Sequence, residues 1–358
     1  MRLENLLDLY TDYLISSFSQ ATSTGLSQVL ENAVSHDAIT RFLAGKVKTS
    51  ADLWKIAKPL VKAAATPMGA IIIDDTIEEK PYTDENEIVA WHFNHTKGKS
   101  VKGIQIISAV YATDMVTVPV AFETVHKTEE VVEKGTGKTK RKSPVTKNEV
   151  YRSLLRICLN NGIEFKYVLN DVWYSSAENM RYIKQELKKD FIMPLKSNRK
   201  VALSLAAKRN GSYSRVESLT LESGRVITVY LEGVEFPLQM IKQVFTNKDG
   251  SKGVLYLVSS DMTLNYDQIK TIYQKRWKVE EYHKSLKSNL ALEKSPTRTV
   301  VTQINHLFAS LCAYIKLESI KKKTTLNHFA IKAKIYMKSL QAAFLELKTF
   351  RPRRLAAA

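Results

Sequence analysis

The sequence predicts an α/β protein in which helices flank a mixed sheet, a helical segment precedes the sheet, and a β-rich segment is inserted near its end. Between residues 66 and 198 the pattern runs strand, strand, strand, helix, strand, helix, strand, which is typical of a mixed sheet with helices on its faces. Residues 199–261 contain only strand-like runs broken by glycine turns, and the flanking segments read as helical.

Composition narrows the possible partners. A chain of 358 residues with 44% hydrophobic residues is expected to form two or three domains, or one core with insertions. A formal charge of +18 and a pI near 9.6 favour an acidic partner, either nucleic acid or an anionic membrane surface.

Targeting and redox features point to the cell interior. The longest uncharged run, residues 299–315, is 17 residues with several polar members, whereas a membrane span needs about 20 apolar ones. The N-terminus has early acids and no signal-peptide core. Cys158 and Cys312 are the only cysteines, which excludes a disulfide framework and a cysteine-rich zinc site. We expect a cytoplasmic, nucleoid-associated protein with no membrane partner.

The first 65 residues read as short helices, beginning with the amphipathic LENLLDLYTDYLISSF. In SHDAITRFLAG, Ser35 is an expected N-cap and Gly45 an expected stop. Two short helices joined by a tight turn, the second directing Thr40 and Arg41 outward, match a helix-turn-helix reader of the major groove. A small helical bundle without a DNA role is the alternative.

The predicted sheet begins with MGAIIIDDTIEEKP, in which an apolar run ends at Asp74 and Asp75. A buried strand that delivers an acid at its end has this pattern. A strand pair follows in KGIQIISAVYA and VTVPVAFETV, and then a basic segment, 134–142, that we expect to be an exposed loop. Its GTGKT is not a phosphate-binding loop, because Val132 stands where the first glycine is required.

The rest of the predicted core alternates helices and strands. VYRSLLRICLNNG is helical, FKYVLNDVWYSS is a strand that turns at Asp171, AENMRYIKQELKKD is helical and FIMPLKS is a strand. The inserted segment has four predicted strands, RVESLTL, RVITVYLEG, FPLQMIKQVF and GVLYLVSS. His92 and His95 have no cysteine nearby and are not expected to bind zinc, and Trp91 and Phe93 are expected in the core.

The segment YQKRWKVEEYHKSLK predicts one helix with five basic residues and two glutamates. Six side chains at steps of three and four share a stripe of that helix: Tyr273, Arg276, Glu280, His283, Lys284 and Lys287. One interpretation is a solvated helix in which Glu280 pairs with Arg276 and Lys284 at about 0.3–0.5 kcal/mol each.

The other interpretation is a metal-dependent site that cuts phosphodiesters. Such a site needs two or three carboxylates to hold Mg²⁺. The sequence offers Asp74 or Asp75 on one strand, Asp171 on another, and Glu280 on the late helix. Pattern alone leaves Asp74 and Asp75 nearly equal, and either could instead cap a turn.

Four residues of this helix carry a family resemblance. Tyr273, Arg276, Glu280 and Lys287 match the Tyr-x2-Arg-x3-Glu-x6-Lys signature of bacterial insertion-sequence transposases, and the surrounding RW-x-VEE-x-HK is also similar. These are cut-and-paste DDE enzymes with a ribonuclease H-like core, and their acids follow the same order along the chain. The chain therefore resembles a DDE transposase of this group.

The resemblance implies specific roles. Asp74, Asp171 and Glu280 would be the catalytic acids and would hold two Mg²⁺ ions, with Mn²⁺ able to substitute. Tyr273, Arg276, Lys284 and Lys287 would bind DNA, together with Thr40 and Arg41 of the N-terminal reader. Related enzymes stack a flipped base on an aromatic residue of the β insertion, where four candidates lie: Tyr230, Phe236, Phe245 and Tyr256.

The resemblance also implies five segments. These are an N-terminal DNA-binding domain (1–65), the first part of a ribonuclease H-like core (66–198), an all-β insertion (199–261), the second part of the core (262–320) and a basic C-terminal segment (321–358). The implied function is a DNA transposase that binds terminal inverted repeats, cuts the 3′ ends and joins them to target DNA as a homodimer. The alternatives are a non-catalytic DNA-binding derivative and another ribonuclease H-like nuclease.

Overall fold

The computed structural model describes residues 3–95, 97–132, 137, 139–246 and 249–350. The described residues fall into two compact units, the first within Met1–Val47 and Lys284–Ala358 and the second spanning Lys48–His283. The boundary at Lys284 falls inside a helix. Whether the five predicted segments act as functional domains stays a prediction.

The described helices are α1 (Leu3–Ser16), α2 (Ser23–Val29), α3 (His36–Leu43), α4 (Ser50–Ala63), α5 (Lys147–Asn160), α6 (Ala177–Arg181), α7 (Leu205–Arg209), α8 (Tyr266–Gln274), α9 (Trp277–Asn289), α10 (Val300–Thr324) and α11 (His328–Thr349). The described strands are β1 (Ala70–Glu79), β2 (Val89–Asn94), β3 (Lys99–Ala112), β4 (Thr117–Thr124), β5 (Glu129–Val132), β6 (Thr139–Lys142), β7 (Tyr167–Asn170), β8 (Asp190–Leu195), β9 (Lys200–Ala202), β10 (Ser214–Arg215), β11 (Val226–Leu231), β12 (Leu238–Thr246) and β13 (Lys252–Ser259). Within this described part of the chain, no helix combines the length and the apolar composition that a bilayer crossing requires.

A mixed sheet forms the centre of the second unit. Its core strands run in the order β4-β3-β1-β7-β8, with β1, β3 and β4 antiparallel and with β7 and β8 parallel to β1. The apolar run Ala70–Ile73 is fully buried, which is why β1 can lie at the middle of the sheet. This architecture confirms the predicted mixed α/β class and is compatible with a ribonuclease H-like fold.

Strand β1 continues past the acids that were expected at its end. Asp74 and Asp75 are its fifth and sixth residues, and the strand extends to Glu79 because β3 pairs with it over its full length. Pairing with β7, in contrast, stops at Ile73 opposite Asn170. The acids therefore follow the end of the β1–β7 ladder and not the end of the strand.

The inserted strands lengthen the same sheet. Strand β13 pairs antiparallel with β8, and pairing continues through β12, β11, β9 and β10 to give eleven strands among the described residues. The prediction of strands alone for 199–261 is wrong, because α7 lies within this segment. RVESLTL is also not a strand, since β10 ends at Arg215 and a 3-10 turn follows at Val216–Ser218.

The basic segment 134–142 is not entirely a loop. Thr139–Lys142 forms β6 and pairs with β5 in an exposed hairpin. Within the GTGKT tract, residues 135, 136 and 138 lie outside the described residues, as do residues 133 and 134 before it.

The helix predicted over YQKRWKVEEYHKSLK is divided. Helix α8 ends at Gln274 and α9 begins at Trp277. Between them the hydrogen bonds span three residues, as from Arg276 N to Tyr273 O at 2.9 Å, which is the tighter 3-10 pattern. Tyr273 and Glu280 therefore lie on different helices and do not share one helical stripe.

Polar contacts order the first unit. Ser35 caps α3 as predicted, since its hydroxyl accepts a hydrogen bond from Ala38 N at 3.3 Å. The Tyr10 hydroxyl on α1 hydrogen-bonds the ring of His306 on α10 at 2.9 Å, and both side chains are buried. The amide of Asn305, also on α10, donates to Leu43 O at the end of α3 at 2.8 Å. Short helices with such defined contacts form a packed bundle.

Candidate active site

Parallel pairing brings two predicted acids to one edge of the sheet. Asp74 follows Ile73 on β1, Asp171 follows Asn170 on β7, and Ile73 and Asn170 are the last paired residues of these parallel strands. Asp171 also caps the 3-10 turn Val172–Tyr174, where its Oδ1 accepts a hydrogen bond from Trp173 N at 2.9 Å. The strand register alone therefore aligns Asp74 with Asp171.

Helix α9 brings a third acid to this edge. Glu280 lies in its first turn, and His283 lies three residues later on the same face. Asp74, Glu280 and His283 each present a ligand atom, and these atoms all lie within 4.8 Å of one another. His283 lies on the stripe predicted from the sequence, but the sequence pattern predicted no role for it. The Glu-x-x-His spacing, which recurs in metal-binding helices, was the signal for it.

The electrostatics of the site favour a bound cation. Burial, together with the charges of Asp171, Asp75 and Glu280, raises the pKa of Asp74 to about 8. Burial also raises the pKa of Asp171, and the charge of Asp75 adds to that shift. Carboxylates crowded in this way repel one another when ionised, and a divalent cation relieves that repulsion.

Arg276 lies between two of these carboxylates. Its Nη1 is 3.2 Å from Glu280 Oε1 and 3.9 Å from Asp74 Oδ2. Its guanidinium carbon also lies 5.0 Å from the ring centroid of Trp277. Arg276 thus supplies positive charge to the acid cluster, and its predicted contact with a DNA phosphate stays a prediction.

Asp75 has a different environment from its neighbour. Its carboxylate accepts hydrogen bonds from Gln105 Nε2 at 2.6 Å and from the Tyr174 hydroxyl at 2.7 Å, and Lys147 Nζ lies 3.1 Å away. Both oxygens of Asp75 are therefore engaged by protein donors. Asp74, and not Asp75, shares the group of potential ligand atoms with Glu280.

The remaining predicted DNA contacts lie in varied surroundings. The Tyr273 hydroxyl donates to Asn170 O at 3.3 Å, so this buried ring links α8 to the strand end before Asp171. In the first unit, Lys287 pairs with Glu293 at 3.0 Å, and Lys284 Nζ lies 5.2 Å from the Phe329 ring centroid. The Thr40 hydroxyl donates to His36 O at 2.9 Å, and Arg41 is exposed. DNA binding by these residues stays a prediction.

Aromatic side chains depart from their expected positions. Trp91 and Phe93, expected in the core, are 54% and 55% exposed, because their side of strand β2 faces solvent. The four aromatic residues of the insertion that are candidates for base stacking contact other parts of the protein. Tyr256 is buried, the Phe245 ring lies next to Gly253, the Phe236 ring packs on Phe191, and Lys208 Nζ lies 5.7 Å from the Tyr230 ring centroid.

His92 on β2 and His95 just after it lie in different environments. His92 is buried, and this burial together with the charge of Lys127 lowers its pKa to about 4. His95 is exposed and its ring contacts Phe93. Among the described side chains, the potential metal-binding group contains Asp74, Glu280 and His283 only.

Comparison with known proteins identifies a family. A family model described as DDE superfamily endonuclease matches residues 2–215, a range that contains Asp74 and Asp171 and ends before Glu280. No curated protein matches the sequence.

Proposed function

The chain belongs to the family of DDE superfamily endonucleases, and from this premise we propose that it is a DNA transposase acting in the nucleoid. It would bind terminal inverted repeats, cut the DNA at the element ends and join the 3′ hydroxyls to target DNA. The observation that carries the proposal is the convergence of Asp74 and Glu280 within 4.8 Å, beside an Asp171 whose charge acts on Asp74.

The side chains of this site fit divalent metal ions. Asp74, Asp171 and Glu280 would hold two Mg²⁺ ions, with Mn²⁺ able to substitute, because carboxylate oxygens are the ligands these ions prefer. The raised pKa of Asp74 supports this fit, since it reflects burial and the neighbouring negative charges of Asp171, Asp75 and Glu280, whose repulsion a bound cation would offset. When bound, such ions lower the pKa of water and stabilise the attacking and leaving oxygens.

The neighbouring basic residues would hold the DNA strand. Arg276 lies between Asp74 and Glu280, and its guanidinium would donate hydrogen bonds to a phosphate oxygen of the bound strand. Lys284 and Lys287, which lie in the first unit, would also bind DNA phosphates. Tyr273 would fix Arg276 and the end of β7, whose Asn170 carbonyl it contacts. Thr40 and Arg41 on α3 would read the terminal repeat.

Glu280→Gln tests the proposal, with Glu281→Gln as a matched control. Both substitutions remove one charge from adjacent, exposed positions of α9. We expect Glu280→Gln to abolish Mg²⁺-dependent cutting of DNA that carries the inverted repeats flanking the gene, while DNA affinity stays measurable. Glu281→Gln should cut normally. Normal cleavage by Glu280→Gln would show that Glu280 is not part of the active site.

The same assay separates the alternatives. A wild-type protein that binds the ends and never cuts them would be a non-catalytic derivative. Cutting without preference for the ends would identify a different nuclease, which has no need of a terminal-repeat reader. Assembly as a homodimer on paired ends is part of the proposal, and the size of the protein–DNA complex in solution measures it.

A further inference from the structure

His283 lies on the buried face of α9. Its own side chain is 8% exposed, and three further side chains share this face at steps of three and four residues and are buried: Val279, Tyr282 and Leu286. Packing alone would explain a histidine in such a position. Its surroundings add a second feature, because Asp74 and Glu280 each present a ligand atom within 4.8 Å of a nitrogen of the His283 ring.

A contact between α9 and β3 holds this face of the helix beside Asp74. The Tyr282 hydroxyl donates to Ser108 Oγ at 3.2 Å, and both side chains are buried. Ser108 is the residue directly opposite Asp74 in the antiparallel β1–β3 ladder. Since directly opposite residues point to the same face of a sheet, the side chains of Ser108 and Asp74 both face α9. The neighbour of His283 is therefore fixed across from Asp74.

The three ligand atoms are close enough to share one cation. Oxygen and nitrogen ligands at about 2.0–2.2 Å from one ion lie about 3–4.4 Å from each other. The ligand atoms of Asp74, Glu280 and His283 lie within 4.8 Å of one another, so only a small movement of the side chains would bring them to such an ion. A Glu-x-x-His pair on one helix is a known way to direct a carboxylate and an imidazole to the same metal.

We propose that His283 is a metal ligand, and that its ring nitrogen and the carboxylates of Asp74 and Glu280 bind one divalent ion, while Asp74 and Asp171 bind the other. This inference rests on the proposed function, to which it adds a ligand and a metal preference. Carboxylate oxygens suit both Mg²⁺ and Mn²⁺, whereas an imidazole nitrogen favours transition metals over Mg²⁺. The site that includes His283 would therefore bind Mn²⁺ more tightly than Mg²⁺.

Electron spin-echo envelope modulation tests the ligand role directly, because it detects the nitrogen of an imidazole bound to Mn²⁺. The full-length protein is frozen without DNA and with half an equivalent of Mn²⁺, so that only the tighter site is filled. We expect modulation from a directly bound ¹⁴N nucleus, and its replacement by a ¹⁵N signal in protein labelled with ¹⁵N-histidine. A wild-type spectrum without histidine nitrogen would overturn the proposal, and this result depends on no variant.

His283→Phe and His95→Phe are a matched pair of variants. Both replace an imidazole by a ring without nitrogen, but His95 is exposed and lies outside the group of ligand atoms. His283→Phe should lose the nitrogen modulation, and His95→Phe should keep it. Thermal unfolding without metal measures whether both variants fold.

Calorimetry of the same variants tests the metal preference. Removing a group that only supports a metal ligand already costs about 10- to 100-fold in affinity, so His283→Phe should raise the Kd for Mn²⁺ at least about tenfold. The Kd for Mg²⁺ should rise less, because Mg²⁺ gains less from a nitrogen ligand. His95→Phe should change neither Kd. An equal rise for both ions in His283→Phe would overturn the metal preference.

The outcomes separate this inference from the proposed function. A wild-type protein that binds neither Mn²⁺ nor Mg²⁺ would contradict both. Nitrogen modulation that persists in His283→Phe would overturn the ligand role of His283 alone and leave the three carboxylates as proposed. Mn²⁺ bound through His283 in a protein that cuts no DNA would support the ligand role and overturn the proposed function.

Discussion

The carboxylates of Asp74 and Asp75 differ in what surrounds them. The Asp75 carboxylate accepts hydrogen bonds from Gln105 and Tyr174 and pairs with Lys147. Asp74 instead shares a group of potential metal ligands with Glu280, and burial and the charge of Asp171 raise its pKa. Sequence pattern left these two residues nearly equal, because it cannot show which of two adjacent strand residues points into a site formed by a distant helix.

Substitution of each aspartate by asparagine separates their roles. We expect Mg²⁺ or Mn²⁺ to raise the Tm of the wild-type protein and of Asp75→Asn, because ligand binding to the folded state stabilises it. Asp74→Asn should lose this metal-dependent rise. Asp75→Asn should have a lower Tm without metal, since it breaks the pair with Lys147. A full metal response in Asp74→Asn would show that Asp74 is not a ligand.

The raised pKa of Asp74 predicts how metal affinity depends on pH. Its folded-state pKa of about 8 exceeds the ordinary value of 3.8, so ionising it costs the metal-free protein stability as pH rises from about 4 to 8. Metal binding needs the ionised form and must release a proton below pH 8. Calorimetry should show Mg²⁺ affinity rising from pH 6 to pH 8 and levelling above it. Equal affinity at pH 6 and pH 8 would contradict this assignment.

At the scale of elements, the long β1–β3 ladder positions the first acid. β3 passes between β1 and β2 at Gly103, which lies opposite Glu79 on one side and Ala90 on the other. A Cβ atom built at Gly103 would lie 2.2 Å from Glu78 O, an impossible contact with backbone. Only glycine permits this approach of the strands.

Gly103→Ala should therefore destabilise the fold by about 1–3 kcal/mol, the usual cost of inserting atoms into a packed site. Gly253→Ala is the control, because the three atoms nearest to its Cβ would belong to the side-chain ring of Phe245, which is 43% exposed, and not to backbone. Urea unfolding measures both. An equal effect of the two substitutions would mean that the β1–β3 approach carries no special constraint.

The break before the helix that carries Glu280 could not be predicted from the sequence. Steps of three and four residues predicted one stripe from Tyr273 to Lys287, but α8 and α9 are separated at Lys275 and Arg276. No proline or glycine marks that break. Tertiary contacts lie on both sides of the break: the Tyr273 hydroxyl donates to Asn170 O, and Lys278 Nζ donates to Thr113 O. Local periodicity cannot encode such contacts.

At the scale of the molecule, the order of helices and strands along the chain was predictable from the sequence, but the pairing of distant strands was not. Buried strands with dense β-branched residues, such as Ala70–Ile73, were evident from the sequence. The union of the inserted strands with the core sheet through β13 and β8 depends on long-range pairing, which single-sequence patterns do not contain. The candidate acids were predicted from their chemistry and from the family resemblance, and no role was predicted for His283 because a single histidine has many roles.

The central claim is that Asp74, Asp171 and Glu280 together hold divalent ions. A crystal of the full-length protein grown with Mn²⁺ and measured at the manganese absorption edge tests it most directly. The anomalous difference map should contain a peak bounded by the carboxylates of Asp74 and Glu280, with Asp171 at that peak or at a second one within about 4 Å. Manganese bound only at other residues, or no peak at these carboxylates in a Mn²⁺-saturated crystal, would contradict the account.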